Sequence, residues 1–378
     1  MISPKFFVES LAGLDMDFFA GVPDSLLKSL CAYITEHVCP ENHIIAANEG
    51  NAVGLAVGYH LATGKIPVVY MQNSGEGNVV NPLLSLADKE VYHIPLLLLV
   101  GWRGEPGVKD EPQHVKQGKV TVSLLETLGI EHAILSQDRG EAFEQLQKAV
   151  RYMHETWEPF ALIIRKGIFE DYTLGEQPGT ELTLSREKAI QLVAASMDRE
   201  AVVVSTTGMI SRELFEFREA SAEGHHRDFL TVGSMGHASQ IALGIALQQK
   251  GRKVYCFDGD GAVLMHMGGL GVIGSLAPGN FVHVVFNNGA HDSVGGQPTV
   301  GFSVSFPTIA EGCGYRMVIS VSDEGALCQA LEEIKDMEGP LLLEIAVKKG
   351  SRKDLGRPTT TPIQNKEAFM NFLREKCE

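Results

Sequence analysis

Apolar residues recur along this chain in two spacings, and the spacing predicts the elements. Compact apolar runs, Ile94–Val100 the clearest, read as buried strands. They alternate with stretches whose apolar residues return every three or four positions, as on one face of a helix. In the first part, strands are expected at Asp17–Ala20, His43–Ala47, Lys65–Met71 and Ile94–Val100. A first helix starts at Ser3-Pro4, N-cap and first helical position. Leu26–His37 follows, capped by Asp24 or Ser25, then a helix of small residues, Asn51–Thr63, and another running from the turn at 72–78 through Leu86. Gly101–Lys119 reads as a loop.

In the second part, helices are expected at Leu184–Ser196, Ile210–Phe217, His237–Gln249, Glu324–Met337 and Lys366–Lys376. Strands are expected at Ala201–Ser205, Lys253–Asp258, Phe281–Phe286, Tyr315–Ser320 and Leu341–Val347. Such alternation predicts an α/β fold built on doubly wound parallel sheets. A polar stretch with Pro and Gly, residues 169–184, is the expected linker between domains at 1–168 and 185–378.

The two parts repeat each other. EGNAVGLAVGYHLATGKIPVVYMQNSGEG aligns, with one-residue offsets, to MGHASQIALGIALQQKGRKVYCFDGDG. Each is a turn, a small-residue helix, a Gly with a base, a Val-Tyr strand and a Gly-x-Gly turn. Two domains of similar topology follow from this. Glu49 falls opposite Met235, and Glu76 opposite Asp260.

One contrast between the copies carries chemistry. In the second, a strand ends in Gly259-Asp260-Gly261, a Gly-rich helical stretch crosses over, and the next strand ends in Asn287-Asn288-Gly289. A carboxylate and a carboxamide thus lie at the carboxyl ends of two strands, the edge where open parallel sheets bind ligands. Asp260 and Asn288 are hard oxygen donors suited to Mg²⁺, which favours few protein ligands plus water and phosphate oxygens. The flanking glycines let backbone N–H groups approach a phosphate at a helix N-terminus. The first copy lacks the Asn-Asn partner, so metal is expected in the second alone.

Composition narrows the field. The 378 residues suffice for two or three domains with their own cores, and a formal net charge of −15 argues against a general nucleic-acid surface. An anionic substrate therefore needs a local cluster of Arg and Lys. No apolar run is long enough to span a bilayer, and the amphipathic N-terminus does not read as a signal peptide. The six cysteines lack metal or disulfide spacing, as expected of reduced thiols in a cytoplasmic protein.

The Gly-Asp-Gly and Asn-Asn pair, with its spacer, resembles the motif of thiamin-diphosphate enzymes. The segments GVPDSLL, NEGNAVGLAVGYHLATGK, NPLLSLAD, GWRGEPGVKDEPQH and NNGAHDSVGGQPT look like the 2-keto acid decarboxylases of that family. Their match is narrowest to the branch acting on phosphonopyruvate, with sulfopyruvate decarboxylases closely related. The resemblance implies a pyrimidine-binding domain and a diphosphate-binding domain of the same topology, with no middle domain. It implies Mg²⁺ held by Asp260, Asn288 and the Ala290 carbonyl, and cofactor contacts from Thr207, Gly208, Gly259, Gly261 and Ala262. Glu49 is expected to touch N1′ of the aminopyrimidine and support the tautomer that takes the thiazolium proton; without the Gly-Asp-Gly and Asn-Asn motif it would read first as a helix N-terminal carboxylate. Met235 is expected to wedge the cofactor into a bent conformer, or else to be a core methionine.

Asp24, beside Ser25, is expected to manage protons near the reacting carbon, with a plain N-cap as the alternative. Arg103 and Lys109, with Lys116 and the late cluster Arg352, Lys353 and Arg357, are the cations available to a phosphonate. His114 and His291 are expected to position the carbonyl, or to be satisfied loop histidines. The implied activity is decarboxylation within phosphonate biosynthesis, by a homo-oligomer with active sites at subunit interfaces. The alternatives are another 2-keto acid decarboxylase or carboligase, and a catalytically silent regulatory subunit of the same fold.

Overall fold

A computed structural model describes residues 1–175 and 181–375. The chain divides into two compact units, Met1–Gln177 and Pro178–Glu378. In the first, strands β1 (Phe19–Gly21), β2 (His43–Ile45), β3 (Val68–Gln72), β4 (Leu97–Gly101), β5 (Glu131–Ile134) and β6 (Phe160–Ile164) form one sheet. In the second, β7 (Val202–Ser205), β8 (Asp228–Leu230), β9 (Val254–Gly259) and β10 (Phe281–Asn287) share a sheet with two later strands. A small antiparallel ribbon, β11 (Ala290–His291) with β12 (Gln297–Pro298), precedes those two, β13 (Met317–Val321) and β14 (Leu341–Ala346).

The first sheet runs β2-β1-β3-β4-β6-β5 and the second β8-β7-β9-β10-β14-β13, with every pairing in both parallel. Counted from its own first strand, each sheet has the same order. The repeat in the sequence is a repeat of topology.

The apolar runs are continuous because both faces of each sheet are covered. Tyr70, Leu97, Leu99 and Leu162 pack into one core, while Val69, Leu98, Val100 and Ile163 pack into another on the opposite face. In the second unit Val203, Phe257, Val284 and Leu343 face one core, and Val204, Cys256, Val285 and Leu342 the other. Each such side chain contributes about 1.5–3 kcal/mol on leaving water.

The order places a topological switch point between β1 and β3 in the first unit, and between β7 and β9 in the second. There the connections leave in opposite directions and open a crevice at the strands' carboxyl ends.

Several elements differ from expectation. Gly101–Lys119 is not all loop: Pro112 starts a helix reaching Thr127, with Pro at N1 as helix starts favour, so His114 sits in a first helical turn and is buried. Strand β8 and the helix Phe306–Gly312 are too short to show a period. The Gly-rich crossover is two short helices, Asp260–Met265 and Gly269–Leu276. Of the expected linker, Phe169 is buried in the first unit's core and Tyr172 and Gly175 bond Glu36; residues 176–180 lie outside those described.

Candidate functional site

In the second unit, Asp260 opens a helix directly after β9 and is buried. Burial pushes its carboxyl up to about 6, against the opposing hydrogen bonds from Thr299 Oγ1 and the backbone N–H groups of Asn288 and Gly261. Asn288 follows β10. Its Oδ1 accepts the Ala290 N–H at 3.0 Å and its Nδ2 donates to Asp292 Oδ2 at 2.7 Å. Asp292 is in turn held by Arg186 Nη1 at 2.8 Å, while the rest of that buried guanidinium grips Glu213 at 2.8 and 3.0 Å. The carboxamide is therefore fixed through Asp292 by a residue over a hundred positions earlier in the chain.

Gly261 admits close neighbours. A methyl group there would meet His291 Cε1 at 2.8 Å and Met235 Cε at 3.5 Å, so the fold brings Met235, Gly261 and His291 together. Burial lowers His291 to about 4, with Asp292 opposing, so it is neutral at pH 7. Thr207 and Gly208 form the turn after β7, Gly208 at φ 97°, and beside them Thr206 Oγ1 is buried with no hydrogen-bond partner among the described residues.

The donor set fits a diphosphate held through a hard cation. A buried carboxylate and an oriented carboxamide oxygen adjoin a Gly-flanked turn, and an orphaned hydroxyl lies at the neighbouring strand end. Deeper in the same sheet, Cys256, Asp258 and His283 cluster with ligand-type atoms within 4.8 Å. There His283 Nε2 faces Asp258 Oδ2 at 3.5 Å and Nδ1 faces the Tyr315 hydroxyl at 3.2 Å, an internal pair tying β9 to β10 beneath Asp260.

In the first unit, Glu49 is in the first turn of the helix Glu49–Thr63, whose N-cap Asn48 accepts the Asn51 N–H at 2.9 Å. Its carboxylate is 5% exposed, lies against Gly75 so closely that a methyl group there would overlap it, and accepts Asn78 Nδ2 at 2.6 Å. A carboxylate that merely complements a helix dipole needs no such burial. Its neighbour Glu76 is also buried. Burial raises it to about 8, Thr121 opposing, and its Oε1 has no hydrogen-bond partner among the described residues.

Asp24 follows β1 and is fully buried. Burial raises it to about 6, opposed by the Leu26 N–H at 3.0 Å and by the charge of Arg103. Neither Asp24 nor Ser25 caps the next helix, which starts at Lys28 with Leu27 as N-cap; Asp24 instead closes a tight turn through Leu26. Ser25 Oγ accepts Arg103 Nη1 at 2.6 Å. Arg103 is bound by Asp110 at 2.8 Å through Nε and 2.5 Å through Nη2, and His114 Nδ1 meets the same carboxylate at 3.0 Å. Lys109 and Lys116 are exposed.

The fold thus links Asp24, Ser25, Arg103, Asp110 and His114 in one run of contacts. It gathers Asp260, Asn288, Ala290, His291 and Met235 around the β9–β10 edge. Of the late cations, Arg352 is engaged by Glu187, Glu216 and Asp354.

Comparison with known proteins agrees with the geometry. Residues 4–138 match the N-terminal TPP binding domain of thiamine pyrophosphate enzymes, and residues 206–345 match the C-terminal TPP binding domain. The chain is 35% identical to a phosphonopyruvate decarboxylase of Streptomyces viridochromogenes, over 99% of this chain and 95% of that one. The chain belongs to the thiamine pyrophosphate-dependent decarboxylases. A phosphonopyruvate decarboxylase of Streptomyces hygroscopicus is 34% identical over 99% of this chain and 95% of its own. A sulfopyruvate decarboxylase of Methanosarcina acetivorans is 28% identical over 97% and 95%. Membership makes the chain a carboxy-lyase using thiamine pyrophosphate. Among the described residues no helix is long and apolar enough to cross a membrane.

Reading the sequence missed Thr299, Asp292, Arg186, Asn78 and Asp110. Thr299, Arg186 and Asn78 reach their partners from distant elements, so no local spacing signals them; Asp292 and Asp110 stand four residues from Asn288 and His114, a spacing that marks a contact only once the local turn or helix is known. Glu76 was visible as the counterpart of Asp260 in the repeat.

Proposed function

We propose that this enzyme converts 3-phosphonopyruvate to phosphonoacetaldehyde and CO₂, using thiamine pyrophosphate and Mg²⁺. The observation that carries the substrate is the match over nearly the whole chain to two phosphonopyruvate decarboxylases, at higher identity than to the sulfopyruvate enzyme.

When bound, the cofactor supplies the electron sink for loss of CO₂. Asp260, Asn288 and the Ala290 carbonyl would hold the metal, and a bound cation would keep Asp260 ionised despite its burial. The backbone around Gly259, Gly261 and Ala262, with Thr207 and Gly208, would receive the diphosphate, and Met235 would set the cofactor's bend. Glu49 would hydrogen-bond the aminopyrimidine, strongly because that site is dry. Asp24, poised near 6, would hold or donate a proton beside the reacting carbon, with His114 and His291 orienting the substrate carbonyl.

The phosphonate needs cations. Arg103 offers it directed N–H groups and Lys109 a mobile point charge. The departing carboxylate should not be gripped, since ground-state stabilisation there would raise the barrier. The active unit would be at least a homodimer, with the pyrimidine unit of one protomer facing the diphosphate unit of its partner.

Steady-state kinetics on phosphonopyruvate, sulfopyruvate and pyruvate test this. The expected result is kcat/KM highest for phosphonopyruvate; a clear preference for either other acid overturns the assignment.

A further inference from the structure

The loop after β4 carries a carboxylate with no assigned role, Asp110, yet more polar contacts meet there than at any of the substrate-side groups named above. Oδ2 accepts Arg103 Nε and the Gly104 N–H, each at 2.8 Å. Oδ1 accepts Arg103 Nη2 at 2.5 Å and the Glu111 N–H at 2.7 Å, and faces His114 Nδ1 at 3.0 Å. Burial works against the charged form, but these bonds from Arg103, His114 and the backbone outweigh it and hold the carboxyl far below its ordinary range.

The fork geometry has a consequence for Arg103. With Nε and Nη2 on one carboxylate, the guanidinium plane is fixed, and Nη1 points to Ser25 Oγ, beside Asp24. The loop backbone is pinned independently, because Asn73 Oδ1 accepts the Arg103 N–H at 3.2 Å and Asn73 Nδ2 donates to the Arg103 carbonyl at 2.8 Å. Backbone clamp and side-chain clamp together hold Arg103 Nη1 toward the Asp24 turn, on Ser25 Oγ.

We propose that Asp110 is a positioning residue of the decarboxylation site: it aims Arg103 at the substrate anion and fixes the His114 ring. This rests on the proposed assignment of Arg103 and His114 to the substrate side. Asp110 reduces the net charge Arg103 presents and adds direction in exchange. Recognition at Arg103 therefore depends on a directed N–H rather than on bulk positive charge. Asp110 acts through its two partners, so its loss should matter little once they are gone.

The test is a mutant cycle in the full-length enzyme with thiamine pyrophosphate and Mg²⁺. D110N should lower kcat/KM by about 10²-fold, the scale expected when a reacting geometry slips by about an ångström. R103A/H114Q/D110N should then be no more than about threefold worse than R103A/H114Q, since coupled residues are not additive. The cofactor-induced rise in Tm should persist in D110N. Additive losses, a D110N enzyme within threefold of wild type, or loss of the cofactor-induced Tm rise in D110N would each overturn the proposal.

A second measurement needs no altered Asp110. ¹⁵N spectra of the wild type, with His114 assigned by its disappearance in H114Q, should show the neutral Nδ1–H tautomer that an Asp110 acceptor selects; an Nε2–H tautomer contradicts the proposal. If wild-type enzyme prefers another 2-keto acid, the substrate assignment fails separately and the cycle is run on that acid.

Discussion

The two units share one strand order, yet their carboxyl edges do different work. After its third strand each unit places a buried carboxyl group, Glu76 in the first and Asp260 in the second. Asp260 accepts from a threonine hydroxyl and from backbone N–H groups including those of Asn288 and Gly261, while the Asn288 carboxamide is oriented by Ala290 and Asp292. Those contacts favour the ionised carboxylate that the proposed metal site would need. Glu76 has one oxygen unpartnered among the described residues and a carboxyl raised by burial to about 8, the setting of a neutral acid. After the second strand the contrast reverses, with a buried carboxylate at Glu49 in one unit and the apolar side chain of Met235 in the other. On the proposed reading, the duplicated scaffold would offer charge neutralisation in one unit and proton chemistry in the other.

Glu49→Gln should have the largest effect on chemistry, a fall in turnover of roughly 10²–10⁴-fold by single-turnover kinetics with cofactor saturated. Near-normal turnover would leave the first unit without its proposed role. Gly75→Ala sharpens the same point, because the added methyl overlaps the Glu49 carboxylate. A loss of about 10²-fold in kcat is expected, and an unchanged kcat would show that the placement of Glu49 is not critical.

Glu76→Gln tests the neutral acid through stability. Its folded pKa is raised from 4.5 to about 8, so between those values the folded state holds a proton that the unfolded state has released. Stability from this group is fully present below about 4.5 and falls as pH rises toward 8. Asp24 and Asp260, each raised from 3.8 to about 6, add to the decline at the acid end of that range. In the cofactor-free protein, Glu76→Gln should flatten the decline by up to a few kcal/mol, checked by urea unfolding at pH 5 and pH 8. An unchanged pH slope would place Glu76 among ordinary ionised carboxylates.

The smallest effect lies away from both edges. Asp323 caps the helix Glu324–Ile334 by accepting the Ala326 N–H at 2.9 Å. Asp323→Ala should cost about 1 kcal/mol in urea unfolding and leave turnover unchanged.

Much of this was legible in the chain because the decisive features are local. Small-residue helices, Val-Tyr strands and Gly-x-Gly turns recur in the same order, so like topology followed from pattern alone. Asp260 and Asn288 stood out because each directly follows a strand. What was hidden is long-range. Thr299 reaches Asp260 from 39 positions away, and Arg186 reaches Asp292 from 106. The start of the helix at Pro112 was obscured by the Gly- and Pro-rich residues before it, and with it the i,i+4 spacing that sets His114 against Asp110. The cations of the late loop looked available for substrate, but opposite charges close in space claim Arg352.

The central claim is that two copies of one scaffold divide a single cofactor, the second holding its charged end and the first acting on its ring. Calorimetric titration of Asp260→Ala and Glu49→Gln with thiamine pyrophosphate in Mg²⁺ tests this directly. Asp260→Ala should lose binding, and with it the Tm rise that saturating ligand confers, while Glu49→Gln should bind within about tenfold of wild type. Tight binding by Asp260→Ala, or equal loss in both variants, would contradict the division.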